Sequence, residues 1–252
     1  MRTKHFIFAC LLLLCSCSKN KKKSELKTNP SDSLGYYLSK SEKRDLSKKE
    51  KVKLLNQATI LIKNSENTLK TRELNYDLIS KYFETESWDN YKIATKILLK
   101  NSLAANDVIS LAKSYRSFGN YYLQKEVFDS SFYYYTKSEK IYYEIKDYDG
   151  YSSIMLKKGL IQFNVNDNIG ADLSLSKALA SEKKINDSRK KYSILLQLGL
   201  NTNQLKEYRK SINYFNQSLK VAKDNNLLDN YQETICLSNI GLVYQNLNDW
   251  LK

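Results

Sequence analysis

Three glycines stand forty residues apart, at Gly119, Gly159 and Gly199, and a fourth, Gly241, follows forty-two further on. Counted from each of the first three, the residue twelve on is Ser131, Ala171 or Ser211, sixteen on is Tyr135, Leu175 or Phe215, and nineteen on is Ser138, Ala178 or Ser218. The frame reaches back through Leu55 and Thr95 in the large series and Ala58 and Leu98 in the last one. A period of this length means stacked supersecondary units, none able to bury its apolar face without its neighbours. Such a chain folds as a solenoid, and the helical signals within each period make it all-α.

Within each period the signals are those of two antiparallel helices. Asp107, Asp147 and Asp187, also forty apart, precede apolar-periodic runs, where a carboxylate can accept the free amide hydrogens of a first helical turn. Trp88, Phe128, Asn168 and Tyr208, with Trp250 after them, mark the turn into each second helix and are aromatic in four of five members. In the third unit the spacing predicts helices over residues 151–164 and 169–183. Glycine inside a helix costs roughly 1 kcal/mol relative to alanine, so glycines kept in register predict close helix contact. The array is read as residues 46–252, with a last repeat that begins at Thr234, turns at Asn248 to Trp250 and lacks its second helix.

The first residues carry a basic start at Arg2 and Lys4 and an apolar core from Phe6 to Leu14, too short to span a bilayer as a mature helix. The run Leu14-Cys15-Ser16-Cys17 resembles the lipobox of bacterial lipoproteins. That resemblance implies a signal peptide over 1–16, cleavage before Cys17, acylation of Cys17 and a membrane anchor facing the periplasm. Ser18 lacks the aspartate associated with inner-membrane retention, which points to the outer membrane. Residues 17–45 are polar and read as a flexible tether. Twelve basic and five acidic residues between Lys19 and Lys53 place +7 of the formal net charge of +14 at this end. Lys21, Lys22 and Lys23 suit either anionic headgroups or a solvated spacer.

The leader also takes away most of the reactive residues. His5 is the one histidine, and of four cysteines only Cys236 remains as a thiol, set among Ile235, Leu237 and Ile240 like a core residue. Imidazole catalysis, the usual zinc sites and a disulfide framework are thereby excluded from the mature chain. No phosphate-cradling loop or metal-ligand cluster is present, no cofactor is implied, and the chain reads as an interaction module, not an enzyme. The basic balance does not lie on a recognisable reading helix, so no nucleic-acid partner is expected.

The repeats resemble the tetratricopeptide family through Phe118-Gly119 with Tyr122, Leu198-Gly199, Ile240-Gly241 with Tyr244, and the Ala171, Leu175, Ala178 series. The period of forty exceeds the usual thirty-four or so, the terminal proline is missing, and the extra residues are expected between units. The resemblance implies a right-handed superhelical solenoid of helix pairs whose first helices line a concave face for a peptide or partner helix. Carried over by position, that face includes Arg116, Asn120, Gln124, Leu160, Asn164, Leu200, Asn203 and Gln204. Its amides can pair with both groups of a peptide backbone, or simply face water. Arg116 and Asn120 also match the start of a carboxylate clamp, from which Lys157 and Gln197 depart. The tyrosines between Tyr133 and Tyr151 read as core and half-buried packing. Long-period arrays of this kind resemble the sensor portions of bacterial regulators that continue into a histidine kinase or DNA-binding domain. The expected function is a membrane-anchored protein- or peptide-binding module, read as the sensor part of a truncated signalling protein; the alternative is a nutrient- or glycan-binding lipoprotein of an outer-membrane uptake complex.

Overall fold

A computed structural model describes residues 33–182, 184–227 and 230–250, with the backbone alone at 230–232 and 248–250. Cys17, the lysines that follow it and the leader lie outside the described residues. Among the described residues every regular element is an α-helix. In chain order they are α1 Ser33–Lys40, α2 Lys48–Asn64, α3 Leu69–Glu84, α4 Trp88–Ala104, α5 Val108–Gln124, α6 Phe128–Glu144, α7 Tyr148–Asn164, α8 Asn168–Glu182, α9 Ser188–Gln204, α10 Tyr208–Asp224 and α11 Asn230–Trp250.

The helices are punctuated by a second ladder. Left-handed backbone recurs every twenty residues, at Glu86, Asn106, Glu126, Lys146, Asn166, Asn186, Lys206 and Asn226. Seven of these close the preceding helix with the same two bonds: at Asn106, its N–H donates to the Leu103 carbonyl (3.3 Å) and the Asp107 N–H donates to the Ser102 carbonyl (3.0 Å). Asp107 then opens α5, its carboxylate accepting the Ser110 N–H at 3.0 Å. The residue that seals one helix therefore starts the next, and three residues suffice for the connection. The expected caps Asp147 and Asp187 are in place too, accepting from Gly150 at 2.9 Å and from Arg189 and Lys190 at 3.1 Å.

This geometry corrects where the long period goes. The connections between repeats, such as residues 105–107, are as short as those within them, such as residues 125–127. The additional residues lengthen the helices, most of which have seventeen residues, because one continuous turn adds intrahelical hydrogen bonds that a loop would have to find elsewhere. Trp88, Phe128, Asn168 and Tyr208 are the first residues of their helices. The third pair runs from 148 to 164 and from 168 to 182, close to the expected bounds.

The chain divides into two compact bodies at residues 161 and 162, inside α7. In the N-terminal body, α1 stands in register with α3 and pairs with α2. Leu34 and Leu38 are buried with Leu55, Ala58, Ile62, Leu78 and Tyr82. Part of the stretch expected as a tether is thus the first helix of the array, because its leucines four residues apart give one apolar stripe. The glycine and small-residue series explain the α5–α6 pair. A Cβ on Gly119 would clash with the edge of the Tyr135 ring, the Ser131 hydroxyl donates to the Gly119 carbonyl at 2.8 Å, and Ser138 donates to the Ala112 carbonyl at 2.9 Å. Small residues let the helices approach, and their hydroxyls bond the facing backbone.

The C-terminal body repeats the device in α9 and α10. A Cβ on Gly199 would lie 2.6 Å from Phe215 Cε1, and Ser211 donates to the Gly199 carbonyl at 2.7 Å. Leu196, Phe215, Cys236 and Val243 form its core, with Ile240 and Tyr192 against them. Burial raises the Cys236 thiol pKa, as expected of a core cysteine. The turn expected at Asn248 to Trp250 does not form. Where the twenty-residue ladder would place a left-handed residue, at Asn246, the backbone stays helical and the side chain donates to Asn203 Oδ1 at 3.2 Å. On this helix Gly241 has no neighbour within 4 Å of an added Cβ, and Leu237, Leu242 and Tyr244 are about half exposed.

Candidate peptide-binding surface

The positions expected to line a binding face fall into both bodies. In the N-terminal body Arg116, Asn120 and Gln124 lie four residues apart along α5, on one face of the helix, and all three are half-buried. The Arg116 guanidinium donates through Nη2 to the Tyr76 hydroxyl, with its centre 5.6 Å from the Tyr76 ring and 6.0 Å from that of Tyr142. Lys113 places its ammonium 4.9 Å over the same Tyr76 ring. Two cations of α5 thus lie against one tyrosine, Arg116 at its hydroxyl and Lys113 over its ring, where a cation–π contact contributes about 0.5–2 kcal/mol according to how far it is desolvated. With five N–H donors and one bonded to Tyr76, the guanidinium keeps hydrogen-bonding capacity.

Asn120 is differently used. Its Oδ1 accepts the Tyr135 hydroxyl at 2.8 Å and its Nδ2 donates to the Tyr91 hydroxyl at 3.4 Å, so half of its amide valence points inward. It anchors the two second helices α4 and α6 to α5. Burial raises the Tyr91 hydroxyl pKa and lifts that of Tyr142 to about 12, so both hydroxyls are neutral across the physiological range. Leu160, on α7, is buried at 3% exposure and belongs to the core.

In the C-terminal body Asn164 is half-buried at the end of α7, and Leu200 is half-buried against the Leu196 and Phe215 cluster. Asn203 accepts from Asn246, and Gln204 is exposed. Leu200, Asn203 and Gln204 share the last turn and a half of α9.

Sequence reasoning did not single out Tyr76 or Lys113. Tyr76 stands forty residues before Arg116, so the register itself pairs them on successive first helices. Of the tyrosine cluster, Tyr135 and Tyr142 are fully buried, Tyr134 is half-buried and stacks with Phe118 and Tyr122 at 4.9 and 5.5 Å, and Tyr133 and Tyr143 are exposed. Among the described residues no three His, Cys, Asp or Glu side chains group as metal ligands, and no helix is long and apolar enough to cross a membrane.

No family model matches the chain, and no curated protein matches it in sequence. Solved structures match it in fold. A signal transduction ATPase with numerous domains from Pyrococcus horikoshii, carrying a tetratricopeptide repeat sensor, aligns with a TM-score of 0.66 at 18% identity, over 84% of this chain and 32% of that one. The apo form of RapI aligns with a TM-score of 0.66 at 16% identity, over 89% of this chain and 63% of that one. A Rap protein complexed with Competence and Sporulation Factor gives 0.60 at 14%, over 90% and 64%. This chain therefore spans about a third of the ATPase and just under two thirds of the Rap proteins. The fold is a tetratricopeptide-like solenoid of antiparallel helix pairs.

Proposed function

We propose that this chain is a peptide- or protein-binding repeat module held at the cell envelope by lipid on Cys17, and that it serves as the sensing portion of a signalling protein. The observation that carries the reading is the face of α5. Arg116 is fixed in place by Tyr76 while retaining free donor capacity, and Gln124 extends the same stripe. Preorganised polar groups of this kind on a rigid helix suit a partner read through its main chain and its charge, since little side-chain entropy remains to be lost on binding. The fold shared with a tetratricopeptide sensor and with a Rap protein seen in complex with Competence and Sporulation Factor supports this class of partner. The short apolar leader directly before Cys17 supports the anchor.

A displayed peptide library selected on the full chain tests the binding. Families that enrich on the wild type and are lost with Arg116→Gln or Gln124→Ala, both expected to fold, are the predicted result. Absence of any enriched family, together with saturable binding of oligosaccharides, would replace this reading with glycan capture. Metabolic labelling with an alkynyl fatty acid tests the anchor: label should enter the wild type and be absent from Cys17→Ser, and equal labelling of both would refute it.

A further inference from the structure

The aromatic series that opens the second helices has one polar member, Asn168, between Phe128 and Tyr208. The substitution is not isolated. Four residues on, the series reads Lys92, Phe132, Asp172 and Ile212, and the buried position on the following first helix reads Tyr121, Ile161, Asn201 and Val243. At the junction of α10 with α11 these places are filled by Tyr208, Ile212 and Val243, packed in one apolar cluster. At the junction of α8 with α9 they are filled by two carboxamides and a carboxylate.

Asn168 and Asp172 lie one turn apart on α8 and so share a face. Asn201, fully buried, donates its Nδ2 to the Asn168 carbonyl at 2.9 Å, which settles which end of its amide is oxygen. Asn201 Oδ1, Asn168 Oδ1 and Asp172 Oδ1 are all buried, and none has a hydrogen-bond partner among the described residues. All three are acceptors. The Lys210 ammonium forms a long ion pair with Asp172, 3.7 Å from Oδ1 and beyond hydrogen-bond reach, and is held more closely by Glu207 at 3.0 Å.

Buried acceptors without donors are strongly disfavoured, and three at one helix junction, where neighbouring junctions use rings and aliphatic chains, suit a positive charge. We propose that Asn168, Asp172 and Asn201 form a binding site for a hard metal cation, Na⁺ or Ca²⁺, between α8 and α9. Amide and carboxylate oxygens are the ligands such ions take, with water completing the shell. A single carboxylate beside a lysine keeps the net charge of the site low. Affinity is accordingly weak, about 10⁻⁴–10⁻³ M for Ca²⁺, the range of low-charge extracellular sites. The ion would tie the start of α8 to the last turns of α9, the end of the pair away from its connecting residues.

Thermal unfolding of the full chain in choline chloride, with choline replaced by Na⁺ at constant ionic strength or with Ca²⁺ added, separates the two ions. One of them should raise Tm saturably, by about 3–5 °C at ten times its dissociation constant. Asp172→Asn should remove the rise, and Lys210→Gln should lower the half-saturating concentration by about fivefold, because a competing charge is gone. Asn201→Val, which places there the side chain found at Val243, fills the buried position and should no longer respond. Identical unfolding in choline, Na⁺ and Ca²⁺, or a rise that survives in both Asp172→Asn and Asn201→Val, would overturn the assignment.

Discussion

Gly199 on α9 lies directly against the ring of Phe215 on α10, so close that a Cβ there would sit 2.6 Å from Cε1. Gly241 occupies the corresponding place on α11 and would meet nothing within 4 Å. The same alanine substitution should therefore have opposite signs at the two sites. Gly199→Ala forces a fully buried ring to move and should cost about 1–3 kcal/mol. Gly241→Ala gains helix propensity without a clash and should stabilise by up to about 1 kcal/mol. Chemical denaturation of both variants measures the difference, and a destabilised Gly241→Ala would show that its face is covered.

The left-handed residues offer a second test. Lys146 and Lys206, both exposed, hold φ values of 57° and 60°, a conformation in which a side chain clashes with its own carbonyl and glycine does not. Lys146→Gly and Lys206→Gly should each raise stability by about 0.5–1 kcal/mol. Lys146→Val, branched at Cβ, should lower it. An unchanged Tm in all three variants would mean that the connection relaxes to another turn.

Asp107 does two jobs, capping α5 and accepting Arg72 Nε at 2.7 Å with both side chains nearly buried. Burial works to raise its pKa, but the Ser110 amide and hydroxyl and the Arg72 guanidinium outweigh it, and the carboxyl titrates below its ordinary range. A lowered folded pKa means stability that is present above the unfolded value of about 3.9 and lost as pH falls through the folded one. Asp107→Asn should cost about 3 kcal/mol at pH 7, since it leaves a buried guanidinium without its counter-charge. The gap to wild type should shrink as pH falls below about 4.

Glu182 has the opposite sign. It is 1% exposed, its Oε1 is buried without a hydrogen-bond partner among the described residues, and burial pushes its carboxyl pKa up. The folded state then holds the proton more tightly than the unfolded chain. Its contribution to stability falls as pH rises from about 4.3 through the folded value, and the cost is complete above it. Glu182→Gln should raise Tm at neutral pH and change it little near pH 4, which scanning calorimetry at the two pH values resolves.

Much of this architecture was legible in the order of the residues. A side chain that must fit between two helices once per repeat is constrained in size, and the constraint recurs at the repeat period. Ala58, Ser138, Ala178 and Ser218 are accordingly small and fully buried, Leu98 being the one large member of that series, and Asp107, Asp147 and Asp187 all cap helices. Serine and alanine exchange in that series because both are small, although only serine bonds the facing backbone. The length of the connections was not legible, because the left-handed positions accept asparagine, glutamate and lysine and carry no glycine signal. The helix at Ser33–Lys40 was missed for the same kind of reason: eight residues with two core leucines are too short to stand out from a polar segment.

The candidate binding face divides similarly. Register alone set Arg116, Asn120 and Gln124 on one stripe, because helical periodicity is a property of the chain. Which of them remains available was decided by tertiary packing. Asn120 turns inward because Tyr91 and Tyr135, on helices far apart in sequence, bring their hydroxyls to it, and Leu160 is enclosed as core. Arg116 is held by a tyrosine forty residues away. Periodicity is local and can be counted, so the sequence by itself determined the fold class, the repeat and the faces of the helices. The pairing of polar atoms depends on which side chains meet across helices, and only the tertiary structure decided it.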